Sequence, residues 1–423
     1  MLAARIKRML NAEENRLITQ VGPGTPMGNL FRRYWLPAML STELPEPDSA
    51  PVKLRLLGED LVAFKTSSGR IGVIDTYCPH RNANLYWGRN EDEGLRCVYH
   101  GWKFDIGGNC VDMPNEPPTS RYAAKVHQNA YQAREKGGVV WVYMGPEALT
   151  PELPELEWTL VGDDYRVATK RIQQCNFLQN LEGELDSSHV SFLHKNFDRT
   201  SREGPAIDLD QHPVFYVKET DYGMAISARR EEDEKQFYWR VTPFMLPSYT
   251  MIPGSIGGSM VFTAAIPRDD TTMIGITVSW RADRPMSPEE IENVKEGMGP
   301  HVVADKDFYP VRNKSNDYGM DRVAQKTLSF TGIPGVREQD MAVQEDQRGP
   351  VSDRTREHLG TTDLGVIASR RRLIKQAKDI EKGIEPTEPH NPKAYRIRSA
   401  AISADRTIAW EEAVAKVMVA TAV

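Results

Sequence analysis

The sequence predicts an α+β protein: an all-β domain followed by a larger domain in which an antiparallel sheet is covered by helices. Three observations predict it. Residues 40–146 are dense in short alternating segments separated by glycine turns, the pattern of half-buried strands. Beyond a proline-spaced linker at 146–154 come longer strand-like runs at 214–218, 223–229, 236–244, 259–266 and 272–281. The C-terminal third carries apolar residues at helical spacing. With 423 residues, 40% hydrophobic and 26% charged, the chain has the composition of a globular protein and room for two domains.

In chain order, residues 12–33 contain a charged, helix-like stretch and the rigid turn Gly22-Pro23-Gly24-Thr25-Pro26. Residues 28–36 form a short amphipathic segment. Val52, Leu54 and Leu56, then Leu61 and Ala63, then Ile71 and Val73 alternate as strands, and 139–143 closes the set. Residues 171–195 read as helix. Ser287 and Pro288 open another, as N-cap and first helical residue. Leu373, Ile374, Ala377, Ile380 and Ile384 make a core stripe, flanked by Arg370, Arg371, Arg372, Lys375 and Lys378. That basic run reads as a solvated face; a docking surface for an acidic electron-transfer partner is the sharper alternative. A net charge of −6 without a basic block speaks against nucleic acid, and no apolar run is long enough for a membrane helix. The N-terminus has no signal-peptide core, so a cytoplasmic protein is expected.

Cys78-Pro79-His80 and Cys97-Val98-Tyr99-His100 form a C-x-H and C-x-x-H pair, with sixteen residues between His80 and Cys97. Two thiolates and two imidazoles are the ligands of a Rieske [2Fe–2S] cluster, the sulfurs on one iron and the nitrogens on the other. A Cys2His2 zinc site normally has each pair all-Cys or all-His. Here each pair is mixed, so each loop tip can serve both metals. Pro79 and Gly101 suit tight tips, and Tyr99 and Trp102 can shield the cluster. Cys110 and Cys175 read as buried small residues rather than a disulfide.

A second constellation follows at 180–194, where Asp186 precedes His189 and His194. Two imidazoles and a carboxylate with open positions are the facial triad of non-haem Fe(II) oxygenases. At about 100° per residue, Glu182, Asp186 and His189 share a helix face, while His194 lies about 140° further round from His189. One straight helix cannot aim both histidines at one iron, so a π-bulge, a bend or a helix end near residues 191–193 is required.

The two constellations, with VGPGTPMGNLFRRYWLPA at 21–38, CPHRNANLYWGRNEDEGLRCVYHGWKFD at 78–105, NFLQNLEGELDSSHVSFLH at 176–194 and QEDQRGPVSDR at 344–354, carry a resemblance. The chain resembles the oxygenase component of the Rieske non-haem iron aromatic ring-hydroxylating oxygenases, most of all the phthalate 4,5-dioxygenase branch. Residues 1–8 look like an extension before a more usual start near Met9. The resemblance implies an N-terminal segment 1–39 packing on the catalytic domain, a Rieske domain 40–146 and a catalytic domain 147–423. It implies a Rieske [2Fe–2S] cluster on Cys78, His80, Cys97 and His100, and mononuclear Fe(II) on His189, His194 and Asp346. Asp186 becomes the catalytic bridge from His100 of a neighbouring subunit to His189. Sequence physics alone leaves Asp186, Asp340, Glu345 and Asp353 in competition with Asp346.

The resemblance further implies a homotrimer or stacked trimers, and a separate NAD(P)H-dependent flavin/iron–sulfur reductase, since no dinucleotide fingerprint occurs in this chain. O₂ and an aromatic acid are the expected substrates. The expected reaction is cis-dihydroxylation of a phthalate-like or substituted benzoate ring, with monooxygenation or O-demethylation as the alternative outcome. A carboxylate calls for arginine, whose guanidinium binds it bidentately; Arg240, Arg199 and Arg202 are the candidates. A Rieske electron carrier or a zinc-stabilised binding protein would share the first motif but would have no use for His189 and His194.

Overall fold

The computed structural model describes residues 9–197, 205–256 and 258–421. Its first domain holds a six-stranded antiparallel sheet in the order Leu36–Leu40, Val139–Tyr143, Ala130–Lys136, Ile71–Asp75, Glu59–Lys65, Val52–Leu56. A smaller four-stranded sheet, Arg89–Glu91, Gly94–Arg96, Lys103–Asp105 and Cys110–Asp112, carries one of the two cysteine–histidine loops. Every residue of Val139–Tyr143 is buried, because this strand lies between its own sheet and the second domain. Trp141 stacks on Trp158 at 5.7 Å and 17°, so a single apolar core runs through both domains.

The N-terminal segment divides its contacts. Helices Ala12–Thr19 and Pro26–Phe31 pack against the long helix Leu364–Glu381, while Leu36–Leu40 pairs with Val139–Tyr143. Strand pairing therefore crosses the expected boundary at 39/40. The first helix begins at a capping box, with Asn11 and Glu14 each satisfying the other's backbone N–H.

The second domain is built on an eight-stranded antiparallel sheet. Its order is Arg166–Gln173, Met273–Trp280, Ser259–Pro267, Tyr249–Ile256, Gln236–Met245, Gly223–Glu231, Val214–Thr220, with Ala400–Asp405 also pairing with Gln236–Met245. Five of these strands match the five predicted runs. Arg166–Gln173 was not among them: its last three residues are strand where the helix over 171–195 is expected to begin, and the helix is only Phe177–Leu185. Its inward charges explain the misreading. Lys170 is buried against Glu43 at 2.8 Å and Arg171 against Gln173 and Thr277, so polar positions that look solvated face the interior. Tyr249–Ile256 was not among the predicted runs; it contains Pro253-Gly254, where the pairing shifts register between Ile252 and Ile256.

The basic run of Leu364–Glu381 is divided: Arg371 and Lys375 are exposed, whereas Arg370 is buried and Arg372 half-buried. Arg370 binds Glu182 and Glu357, and Arg372 binds Glu219 and Glu388. Ser287 caps its helix with Pro288 at the first position, as expected. Cys110 and Cys175 are buried free thiols.

Candidate active site

The two cysteine–histidine loops are built alike. Cys78 N–H donates to the Ala83 carbonyl at 2.9 Å and Asn82 N–H to the Cys78 carbonyl at 2.9 Å. In the second loop Cys97 N–H donates to the Trp102 carbonyl at 2.8 Å and Gly101 N–H to the Cys97 carbonyl at 3.0 Å. The fourth residue after each cysteine turns left-handed, Asn82 at φ 57° and Gly101 at φ 81°, as residues tolerant of that region can. A side chain at Gly101 would also strike Pro114, 2.6 Å from its Cβ position.

The loops set Cys78 and Cys97 side by side and buried, with burial pushing the Cys78 thiol up to about 11 and the neighbouring Cys97 adding to it. A cluster holding both as thiolates would remove that penalty. The rings of His80 and His100 lie 4.4 Å apart, edge to face. Trp102, buried, stacks on His80 at 4.4 Å and donates its indole N–H to Asn115. Tyr99 is exposed and lies 3.9 Å from the His100 ring. A thiol pair beside an imidazole pair fits a two-iron cluster.

The second centre starts where helix Phe177–Leu185 stops. Asp186 leaves the helix at φ −91°, ψ 106°, and its carboxylate accepts from Ser188 N–H at 2.7 Å. Fully buried Arg230 grips the next turn, donating to the Ser187 carbonyl at 2.6 Å. His189 opens a short 3-10 turn, His189–Ser191. The helix thus ends at Asp186, and the turn after it ends at Phe192 with φ −124° and ψ −64°, within the stretch 191–193 where a break between the two histidines is required. It allows the Nε2 atoms of His189 and His194 to approach within 3.1 Å.

The carboxylate beside them is Asp340, whose Oδ1 lies 3.3 Å from His194 Nε2 and 3.7 Å from His189 Nε2. Three donors at such separations are spaced as ligands around one ion at about 2.1 Å. Burial opposes the charge on Asp340, yet His194, Arg337 and His189 hold its carboxyl well below the usual carboxylate range. Gln339 accepts from His194 Nδ1 at 2.7 Å, which leaves Nε2 as the free donor atom. Asp186 Oδ2 stands 3.7 Å from His189 Nδ1. Burial resists ionisation of both, but their mutual attraction prevails, lowering Asp186 and raising His189.

The expected ligand Asp346 is not part of this group. Helix Val336–Gln344 carries Asp340 on its buried side and ends two residues before Asp346. Asp346 is 72% exposed and binds Lys314 at 2.6 Å. Of the competing acids, Glu345 is engaged by the Tyr318 hydroxyl and Gln174 N–H, and Asp353 caps the turn after it. The structure thus groups Asp340, and not Asp346, with the two histidines. Gln339 and Arg337 had no sequence signal beyond sharing a helix with that aspartate.

Residues 34–131 match the family model of the Rieske [2Fe-2S] domain, and residues 142–421 match the LigXa C-terminal domain like family. The chain is 39% identical over 390 residues to the phthalate 4,5-dioxygenase oxygenase subunit of Pseudomonas putida, spanning 89% of this chain and 88% of that one. The chain belongs to the Rieske oxygenases. Another relative of this oxygenase is the 3-chlorobenzoate-3,4-dioxygenase oxygenase subunit of Comamonas testosteroni, 37% identical, covering 96% of this chain and 98% of that one. In fold, the Rieske oxygenase is similar to dicamba monooxygenase bound to dicamba, with a TM-score of 0.60 at 19% identity over 84% of this chain and 99% of that one. It is an oxidoreductase with a Rieske cluster and a mononuclear iron, and as an oxygenase subunit it takes its electrons from a separate protein. No helix among the described residues is long and apolar enough to cross a membrane.

Around Asp340 and the histidines this oxygenase encloses a cavity of about 990 Å³, with Ile252, Val261, Met298 and Leu328 in its apolar wall. Arg240, near the middle of strand Gln236–Met245, lines the same cavity and is 3% exposed; burial pushes its guanidinium down to about 10. Arg199 and Arg202 lie outside the described residues.

Proposed function

We propose that this protein hydroxylates an aromatic acid, by cis-dihydroxylation of a phthalate-like or substituted benzoate ring. The observation that carries this reading is Arg240, a buried cation in the wall of the cavity that also holds His189, His194 and Asp340. A guanidinium in a low-dielectric wall favours a carboxylate strongly. Two relatives are named for phthalate and 3-chlorobenzoate, which supports the same substrate class.

In this reading Cys78, His80, Cys97 and His100 hold the cluster, while His189, His194 and Asp340 hold the iron. When bound, these groups supply single electrons and an open site for O₂. The chain's own residues do the rest. Arg240 anchors the carboxylate and turns the ring toward the histidines. The apolar wall keeps bulk water from the reacting ring. Asp186 holds the proton on His189 Nδ1 and links this centre to His100 of a neighbouring protomer in a homotrimer. An NAD(P)H-dependent flavin/iron–sulfur reductase supplies the electrons.

The test is turnover with a reconstituted reductase across benzoates, methoxybenzoates, phthalate isomers and sulfobenzoates, followed by product mass. A cis-diol is expected; a phenol with formaldehyde would replace dioxygenation by O-demethylation. Arg240→Gln should raise KM for the preferred acid by roughly a hundredfold, the value of about 3 kcal/mol for a charge-assisted pair. An unchanged KM would remove Arg240 as the anchor.

A further inference from the structure

The two oxygens of Asp340 face different partners. Oδ1 points to the histidines, whereas Oδ2 lies 3.3 Å from Arg337 Nη1. Arg337 is 1% exposed and has two further anchors: the same Nη1 binds Glu184 Oε1 at 2.6 Å, and Nε donates to the Pro300 carbonyl at 3.2 Å. Arg337 and Asp340 stand one turn apart on helix Val336–Gln344, so their contact is set by helical spacing. Glu184 comes from the helix that ends at the iron-site turn, and Pro300 from the cavity wall. A guanidinium fixed from three elements cannot swing away from Oδ2.

We propose that Arg337 is a positioning residue that keeps Asp340 a one-oxygen ligand, by holding its second carboxylate oxygen in a buried ion pair. This rests on the reading of Asp340 as the third ligand of the iron. A carboxylate can bind a metal through one oxygen or two. A second oxygen would occupy one of the positions that a two-histidine, one-carboxylate site leaves open for O₂ and substrate. Arginine suits the task because its planar fork serves several acceptors at once with fixed geometry. An arginine serving only stability would tie Glu184 to Asp340 without altering how many positions on the metal stay open.

Nitric oxide, a probe of open positions on Fe(II), separates the two roles. Removing Arg337 alone would strand Glu184, so the informative protein is the Arg337→Gln/Glu184→Gln double variant, with Arg337→Lys as the conservative partner. In the full-length, iron-loaded protein, the double variant should keep about one mononuclear iron per chain. Its half-saturating nitric oxide concentration, read from the high-spin electron paramagnetic resonance signal, should rise roughly tenfold or more, the size of effect expected when a ligand's supporting contact is removed. Arg337→Lys should fall between. A wild-type titration in the double variant would overturn the proposal, and so would loss of the mononuclear iron, which would mean that Arg337 holds the ligand in place rather than withholding one oxygen. Asp340→Ala tests the underlying reading separately. If Asp340→Ala keeps its iron while Asp346→Ala loses it, the ligand assignment fails and the proposal with it.

Discussion

Gln339 shows how much of this site depends on residues that are not ligands. Its side-chain oxygen accepts from His194 Nδ1 at 2.7 Å, and its amide nitrogen donates to the Ile333 carbonyl at 2.9 Å, so the amide cannot flip without losing both bonds. Gln339→Leu should therefore weaken mononuclear iron binding by about 10–100-fold, while Gln339→Glu retains it. Metal analysis after dialysis checks this: iron should fall from about three to about two per chain, the cluster's share, with the cluster absorbance unchanged. Iron held as tightly by Gln339→Leu as by the wild type would show that the ring needs no such support. The cluster residues were legible because each loop is local: a cysteine and a histidine two or three residues apart, at a tip that closes on itself. Asp340 was legible only as one of several acids. Its selection over Asp346 depends on where helix Val336–Gln344 ends and which side of it is buried, and those are set by packing rather than by any local pattern.

At the scale of elements, helix Phe177–Leu185 is held by buried charges, one of which, Arg370, the sequence reading placed on a solvated face. Glu182 accepts from Arg354 and Arg370, and the three side chains are 12%, 0% and 4% exposed. Burial alone would raise the Glu182 carboxyl, but the two guanidinium groups overcome it and hold it at about 2, against an ordinary 4.5. Because the folded-state value is the lower one, the stabilisation is complete above about pH 4.5 and is lost as pH falls toward 2. Glu182→Gln should cost about 3 kcal/mol at pH 7, by leaving Arg354 buried without its counter-charge. The difference in urea midpoint between variant and wild type should shrink as pH is lowered from 5 to 3; a gap independent of pH would point to lost packing instead. Inward charges of the same kind explain why strand Arg166–Gln173 was missed and why Arg370 was placed on the solvated face. Alternation and amphipathicity assume that charges face water, and Lys170, Arg171 and Arg370 do not.

At the scale of the whole molecule, the cluster end of the first domain is a surface feature. Tyr77, Val98 and Tyr99 are exposed around the loops that carry His80 and His100, whereas Asp186 faces the cavity of the second domain. If His100 of one protomer serves Asp186 of the next, a closed ring pairs every cluster with a neighbour's iron. Complementation then has a quantitative signature. Cys97→Ala removes a cluster ligand and His189→Ala an iron ligand, so each variant alone should be inactive. Co-expressed at equal levels with different affinity tags and purified through both, mixed trimeric rings should regain activity, because a cluster-bearing protomer is followed by an iron-bearing one at about a third of the junctions. Transfer within a chain yields none, since no chain then carries both centres. Dual-tag purification followed by oxygen uptake with the reconstituted reductase therefore decides between the two routes, and zero recovered activity in a verified mixed oligomer would place the working pair of centres inside one chain.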